Sequence, residues 1–103
     1  MNRDQVLAAL RRHRQEIEQR FAIKHLSVFG SAARDGLRDD SDIDVLVEFK
    51  GKATFDGYMD LKFYLETLLG RNVDLVTQDA VKPRMHPMIE QEAMHVIEKR
   101  GKP

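Results

Sequence analysis

Residues 28–49 read VFGSAARDGLRDDSDIDVLVEF. Two strand-like pieces flank a Gly-Ser break and a turn, and the second piece is entered through Asp39, Asp40, Asp42 and Asp44. Those acids run straight into Val45-Leu46-Val47. Carboxylates at the mouth of a buried strand repel one another and resist losing water. Either something positive compensates them, or they are a wet turn that overlaps the start of the strand.

Strand side chains alternate between faces, so Asp42 and Asp44 project side by side while Ile43, Val45 and Val47 point the other way. A second carboxylate among apolar residues occurs at Asp74, between Val73 and Leu75. If the two strands are neighbours, Asp74 comes next to Asp44. Three carboxylates on one rim, without Lys or Arg beside them in the local sequence, ask for cations. All-oxygen ligation suits Mg²⁺ or Mn²⁺, which usually share their shells with substrate phosphates. Gly30-Ser31 offers the other half: a glycine that lets backbone approach a ligand, then a serine hydroxyl opening a helix whose free N–H groups favour phosphate.

Working outward, residues 3–21 carry Val6, Leu10, Ile17 and Phe21 near helical spacing, with Asn2 or Asp4 available as a cap. Residues 25–29 alternate as a strand, a short helix spans roughly 32–35, and Gly36 to Ser41 turn the chain into the strand 43–49. Residues 56–69 place Tyr58, Leu61, Leu65 and Leu68 on one helical face and stop at Gly70. A third strand, 72–77, follows. A last helix is expected with Pro87 in its first turn, Ile89, Ala93, Val96 and Ile97 facing inward, and Gly101 at its end. This order reads as an α/β fold with a small sheet. A whole helix separates strands 43–49 and 72–77, so they should be parallel neighbours. The direction of the first connection stays open.

The 103 residues suit one small domain spanning 1–103, with little room for a separate substrate domain. Hydrophobic content of 42% and charged content of 33% fit a globular protein with a charged surface. No apolar run approaches a membrane span, and the charged N-terminus does not read as a signal peptide. Cysteine is absent, which removes thiolate metal sites and suits the cytoplasm. The net charge is zero, so no global grip on nucleic acid is indicated. Basic residues gather in 1–25 and acids in 34–60.

Gly30-Ser31, ten residues, then Asp42-Ile43-Asp44 resembles the GS-x10-DxD signature of the DNA polymerase beta-type nucleotidyltransferases. Asp-x-Asp alone arises by chance in roughly a quarter of chains this long, and Gly-Ser at one fixed distance lowers that to about one in a thousand. Chain size and the ending VKPRMHPMIEQEAMHVI resemble the minimal nucleotidyltransferase branch, which includes antitoxins paired with HEPN-domain toxins. The resemblance runs from about Leu26 to Ile97. It implies a small mixed β-sheet of about three or four strands flanked by helices. It implies metal ligation and catalysis by Asp42, Asp44 and Asp74, with two Mg²⁺ ions (or Mn²⁺) and ATP as substrate. Gly30 and Ser31 would take the phosphates. In one respect the chain departs from the branch: Arg34 is followed by Asp35 and then Gly36, which sets the turn glycine one place later.

Other residues have plainer readings. Asp39 and Asp40 suit turn formation better than ligation, and Val45 and Gly51 stand where a calcium loop needs Gly and Glu. Arg34 and Arg38 either neutralise a triphosphate or lie on the surface. His13, His25, His86 and His95 show no zinc spacing. Tyr58, Tyr64 and the methionines suit core or interface. Three functions remain: AMP transfer from ATP to a hydroxyl, that of a tyrosine by the same resemblance, of a HEPN-type toxin; a non-catalytic module that neutralises its partner by contact, through an apolar patch from Tyr58, Met59, Phe63 or Met85, Met88; and transfer to a small molecule, for which a homodimer would complete the acceptor pocket.

Overall fold

The computed structural model describes residues 2–34, 36, 38 and 41–98. The chain opens with two helices rather than one: α1 (Arg3–Arg12) and α2 (Arg14–Phe21). Asn2 caps α1 reciprocally, its side chain accepting from the Gln5 N–H while the Gln5 side chain accepts from the Asn2 N–H, both at 2.9 Å. The expected single helix 3–21 is interrupted at His13, whose N–H still bonds back to α1 while its ring contacts the Ala9 carbonyl at 3.0 Å. Ala22 then adopts a left-handed conformation, with φ of 53°, to swing the chain into β1 (Ile23–Phe29).

The short α3 (Gly30–Ala33) begins at Gly30 itself, earlier than the expected 32–35, and Asp35 lies outside the described residues. After the turn come β2 (Ile43–Phe49), α4 (Phe55–Leu69) and β3 (Val73–Thr77). Thr54 caps α4 by accepting from the Gly57 N–H at 3.0 Å, and Gly70 ends it with φ of 66°. Two single 3-10 turns, Gln78–Ala80 and Pro83–Met85, lead into α5 (His86–Glu92) and β4 (Met94–Glu98).

The ending corrects the expected long last helix. Helical bonding stops at Ala93, whose backbone is extended, and Val96 and Ile97 lie on a strand paired with β1. Gly101 lies outside the described residues. The outer edge of β1 was open, and β-branched Val96 and Ile97 fill it better than they serve a helix. A register irregularity between Leu26 and Ser27 accompanies this pairing, and Val96 and Ile97 are buried in succession rather than alternately.

The sheet order is β3-β2-β1-β4, with β2 and β3 parallel and the other pairs antiparallel. It is therefore a four-stranded mixed sheet. One face is the core: Val28, Ile43, Val45, Val47, Val73 and Leu75 pack against Val6, Leu10, Ile17, Leu61 and Leu65 of the helices. Burying a side chain of this size contributes about 1.5–3 kcal/mol each. The opposite face carries Asp44, Leu46 and Glu48 of β2 and Asp74 of β3.

Candidate active site

The parallel β2–β3 ladder sets Asp44 directly opposite Asp74. Both stand on the face away from the core, because their neighbours Ile43, Val45, Val73 and Leu75 are buried in it. Two anchors hold this register. The Glu66 carboxylate at the end of α4 accepts from the Val73 N–H and from Lys62 Nζ, each at 3.0 Å. The Ile43 N–H donates to the Asn72 carbonyl at 3.0 Å. The Val73 N–H and then Lys62 hold the Glu66 carboxyl below the usual carboxylate range.

The Asp44 carboxyl is pushed up from 3.8 to about 6. Burial is the largest cause, followed by the charges of Asp74 and Asp42 and a hydrogen bond to Asp74, with Arg34 opposing. Asp44 and Asp74 are thus crowded together on this rim without enough positive charge beside them. That is the observation a divalent cation fits: two opposed carboxylates, one of them raised, and no lysine or arginine contributed by either strand at this rim. Asp42 is exposed, and among the described residues no three Asp, Glu, His or Cys side chains close into a finished metal cage.

Gly30 closes over this pair. Its φ is +68°, and a Cβ there would overlap Asp44 Oδ2 and lie 3.1 Å from Cγ. Glycine is thus required twice, by conformation and by the carboxylate at its back. Ser31 is the next residue, in the first turn of α3, and its carbonyl accepts from the Gly36 N–H at 2.7 Å. The turn beyond is held at its base by Arg71, whose guanidinium donates to the carbonyls of Arg38 and, at 2.8 Å, Ser41. Asp39 and Asp40 lie outside the described residues.

Two findings were not foreseen. Gly30's N–H donates to Glu92 Oε2 at 2.9 Å, and Arg34 Nη1 donates to Glu92 Oε1 at 2.7 Å. No motif singles out Glu92, which was hidden inside an expected helix. Arg71 likewise follows Gly70 with nothing in the sequence to mark it. A cavity of about 430 Å³ is lined by Leu46, Glu48, His86, Ile89, Glu90 and His95 among others, but by none of the candidate residues. Its lining holds no Lys or Arg, so it does not suit phosphate. Tyr58 and Tyr64 pack against the core, and the Tyr58 hydroxyl donates to the Leu75 carbonyl.

A four-stranded mixed sheet with paired acids on its open face and a Gly-Ser corner defines a class of phosphoryl-transfer protein. The chain belongs to the nucleotidyltransferase domain family, whose model matches residues 10–97. It is 33% identical over 93 residues to the protein adenylyltransferase MntA of Thermococcus cleftensis, covering 90% of this chain and 94% of that one. It is also similar to a solved minimal nucleotidyltransferase, with 36% identity, a TM-score of 0.79 and coverage of 91% and 95% of the two chains. The fold matches, at 15% identity and a TM-score of 0.65, a chain from the complex of a tri-AMPylated Shewanella oneidensis HEPN toxin with its MNT antitoxin, covering 90% of this chain and 73% of that one. This protein is therefore a nucleotidyltransferase. No helix of the described residues is long and apolar enough to cross a membrane.

Proposed function

We propose that this protein moves AMP from ATP to a hydroxyl, a tyrosine in our reading, of a HEPN-type toxin, and so acts as the antitoxin of a pair. The single observation that supports the chemistry most is Asp44 opposite Asp74 on adjacent parallel strands, under the Gly30-Ser31 corner. The acceptor rests on the adenylyltransferase relative and on the AMPylated HEPN toxin found with a structurally similar antitoxin.

Asp42, Asp44 and Asp74 would hold divalent cations, Mg²⁺ or Mn²⁺. When bound, these neutralise the triphosphate and lower the pKa of the acceptor hydroxyl. The Ser31 hydroxyl and the N–H groups after Gly30 receive phosphate oxygens. The Gly30 N–H itself is taken by Glu92. The acceptor oxygen attacks the α-phosphorus in line, forming a new P–O bond. The bond from that phosphorus to the bridging oxygen breaks, and pyrophosphate leaves. The hydroxyl proton passes to Asp74, which faces the same rim from the neighbouring strand. Positioning and charge neutralisation carry the rate in such a transfer.

Asp42→Asn combined with Asp44→Asn should abolish transfer of label from ATP to the partner while the protein stays folded. Undiminished labelling by that double variant would refute the assignment. Neutralisation by contact alone is the second reading, favoured by α4, which leaves Phe55 76% and Phe63 55% exposed. In that case the double variant still inhibits the partner stoichiometrically.

A further inference from the structure

Glu92 sits where the last turn of α5 hands over to β4. The antiparallel register pairs Met94 with Val28, so two steps further along it brings Glu92 beside Gly30. On the other side of the same corner, Phe29 pairs with Asp44. Gly30 is thus gripped from two sides: by Glu92 at its N–H, and by Asp44 where a side chain would be. Both Glu92 oxygens are used, one on Gly30 and one on Arg34. The Glu92 side chain is only 19% exposed, whereas that of Arg34 is 61% exposed and would sample many rotamers without its partner.

From this we infer that Glu92 is a positioning residue for nucleotidyl transfer. It sets the Gly30-Ser31 corner and orients the Arg34 guanidinium before ATP arrives. The inference rests on the reading of that corner as the phosphate site. Glu92 touches no reacting atom; it acts through Gly30 and Arg34. Charge-assisted hydrogen bonds to a mostly buried carboxylate are strong enough to make such preorganisation felt in binding. A carboxylate holding the same two donors could instead be an internal rival of the phosphates. The two roles predict opposite signs.

The test measures affinity for Mg²⁺–AMP-PNP by calorimetry, together with KM and kcat for ATP, in the full chain. Wild type, Glu92→Gln, Glu92→Ala, Arg34→Ala and the Glu92→Ala/Arg34→Ala pair are compared, well below each melting temperature. Glu92→Ala should weaken analogue binding about tenfold and raise KM for ATP more than it lowers kcat. Glu92→Gln, which keeps an acceptor for Gly30, should lose about threefold. In the Arg34→Ala background the effect of Glu92→Ala should shrink, because part of it runs through that guanidinium. Lower melting temperatures with unchanged affinity and KM would leave Glu92 a purely structural brace and overturn the inference. Tighter analogue binding by Glu92→Ala would overturn it in favour of the rival role. A wild-type protein that binds no analogue removes the nucleotide site itself, and the inference with it.

Discussion

Gly30→Ala separates two effects that the corner combines. A left-handed backbone costs a residue with a Cβ roughly 1–2 kcal/mol. Gly70 provides the control, because its φ of +66° is nearly the same but a Cβ there meets nothing within 4 Å. Gly70→Ala should therefore lose ~1–2 kcal/mol by strain alone. Gly30→Ala adds the overlap with Asp44 Oδ2. Asp44 must rotate away or the backbone must shift, an overpacking cost of about 1 kcal/mol more. A domain of this size shifts by roughly 4–8 °C per kcal/mol. Denaturant melts should show Gly70→Ala modestly destabilised with transfer intact, and Gly30→Ala destabilised by ~2–3 kcal/mol with transfer lost. Equal losses in the two variants, with Gly30→Ala still active, would show that the corner does not press on the carboxylates and that the reasoning is wrong.

Asp44→Asn should make the metal-free protein more stable at pH 7–8. The folded carboxyl titrates near 6 against 3.8 for the free group, so its stabilising contribution is present below pH 4 and lost as pH rises through 6. The full difference corresponds to about 3 kcal/mol; partial solvent access reduces this to ~1 kcal/mol. The advantage of the Asn variant should vanish below pH 4, and added Mg²⁺ should stabilise wild type but not the variant, as read by melts across pH. Glu66 has the opposite sign, since its carboxyl is held low by the Val73 N–H and Lys62. Its contribution is present above the ordinary Glu pKa and is lost as acid carries the pH down through the lowered one, so Glu66→Gln should flatten the acid limb of the stability curve. Leu61→Ala, at a fully buried position, should cost 2–5 kcal/mol by denaturant unfolding, which is roughly the whole range a small domain can spare. Ala22→Gly should raise the melting temperature slightly, because Ala22 holds φ of 53° and Gly accepts it freely.

The acidic rim was legible because period-two alternation and the single-helix crossover are local rules. Together they bring Asp74 to Asp44 without further information, and the β2–β3 register agrees. The break at His13 was not legible, since the apolar spacing of Val6, Leu10 and Ile17 runs through it. Nor was β4, because Val96 and Ile97 are adjacent on the chain and both buried, a pattern that does not alternate and was absorbed by the helix before it. Only the vacant edge of β1 decides between helix and strand there, and that edge belongs to residues some seventy positions earlier. Glu92 and Arg71 were hidden for the same reason. Each acts on backbone far away in sequence, and a lone charged residue carries no mark of that.

Strand β1 lies inside the sheet, yet one of its two neighbours is the last described element of the chain. The Gly30 N–H meets its carboxylate 62 residues downstream. A ribosome adding about 5–20 residues each second needs several seconds to cover that gap. A nascent polypeptide stopped just short of Glu92 therefore holds both acidic strands and the crossover helix, but its Gly30-Ser31 corner is open on one side. The β1 edge and the Gly30 N–H find their partners only once residues 92–98 have been added.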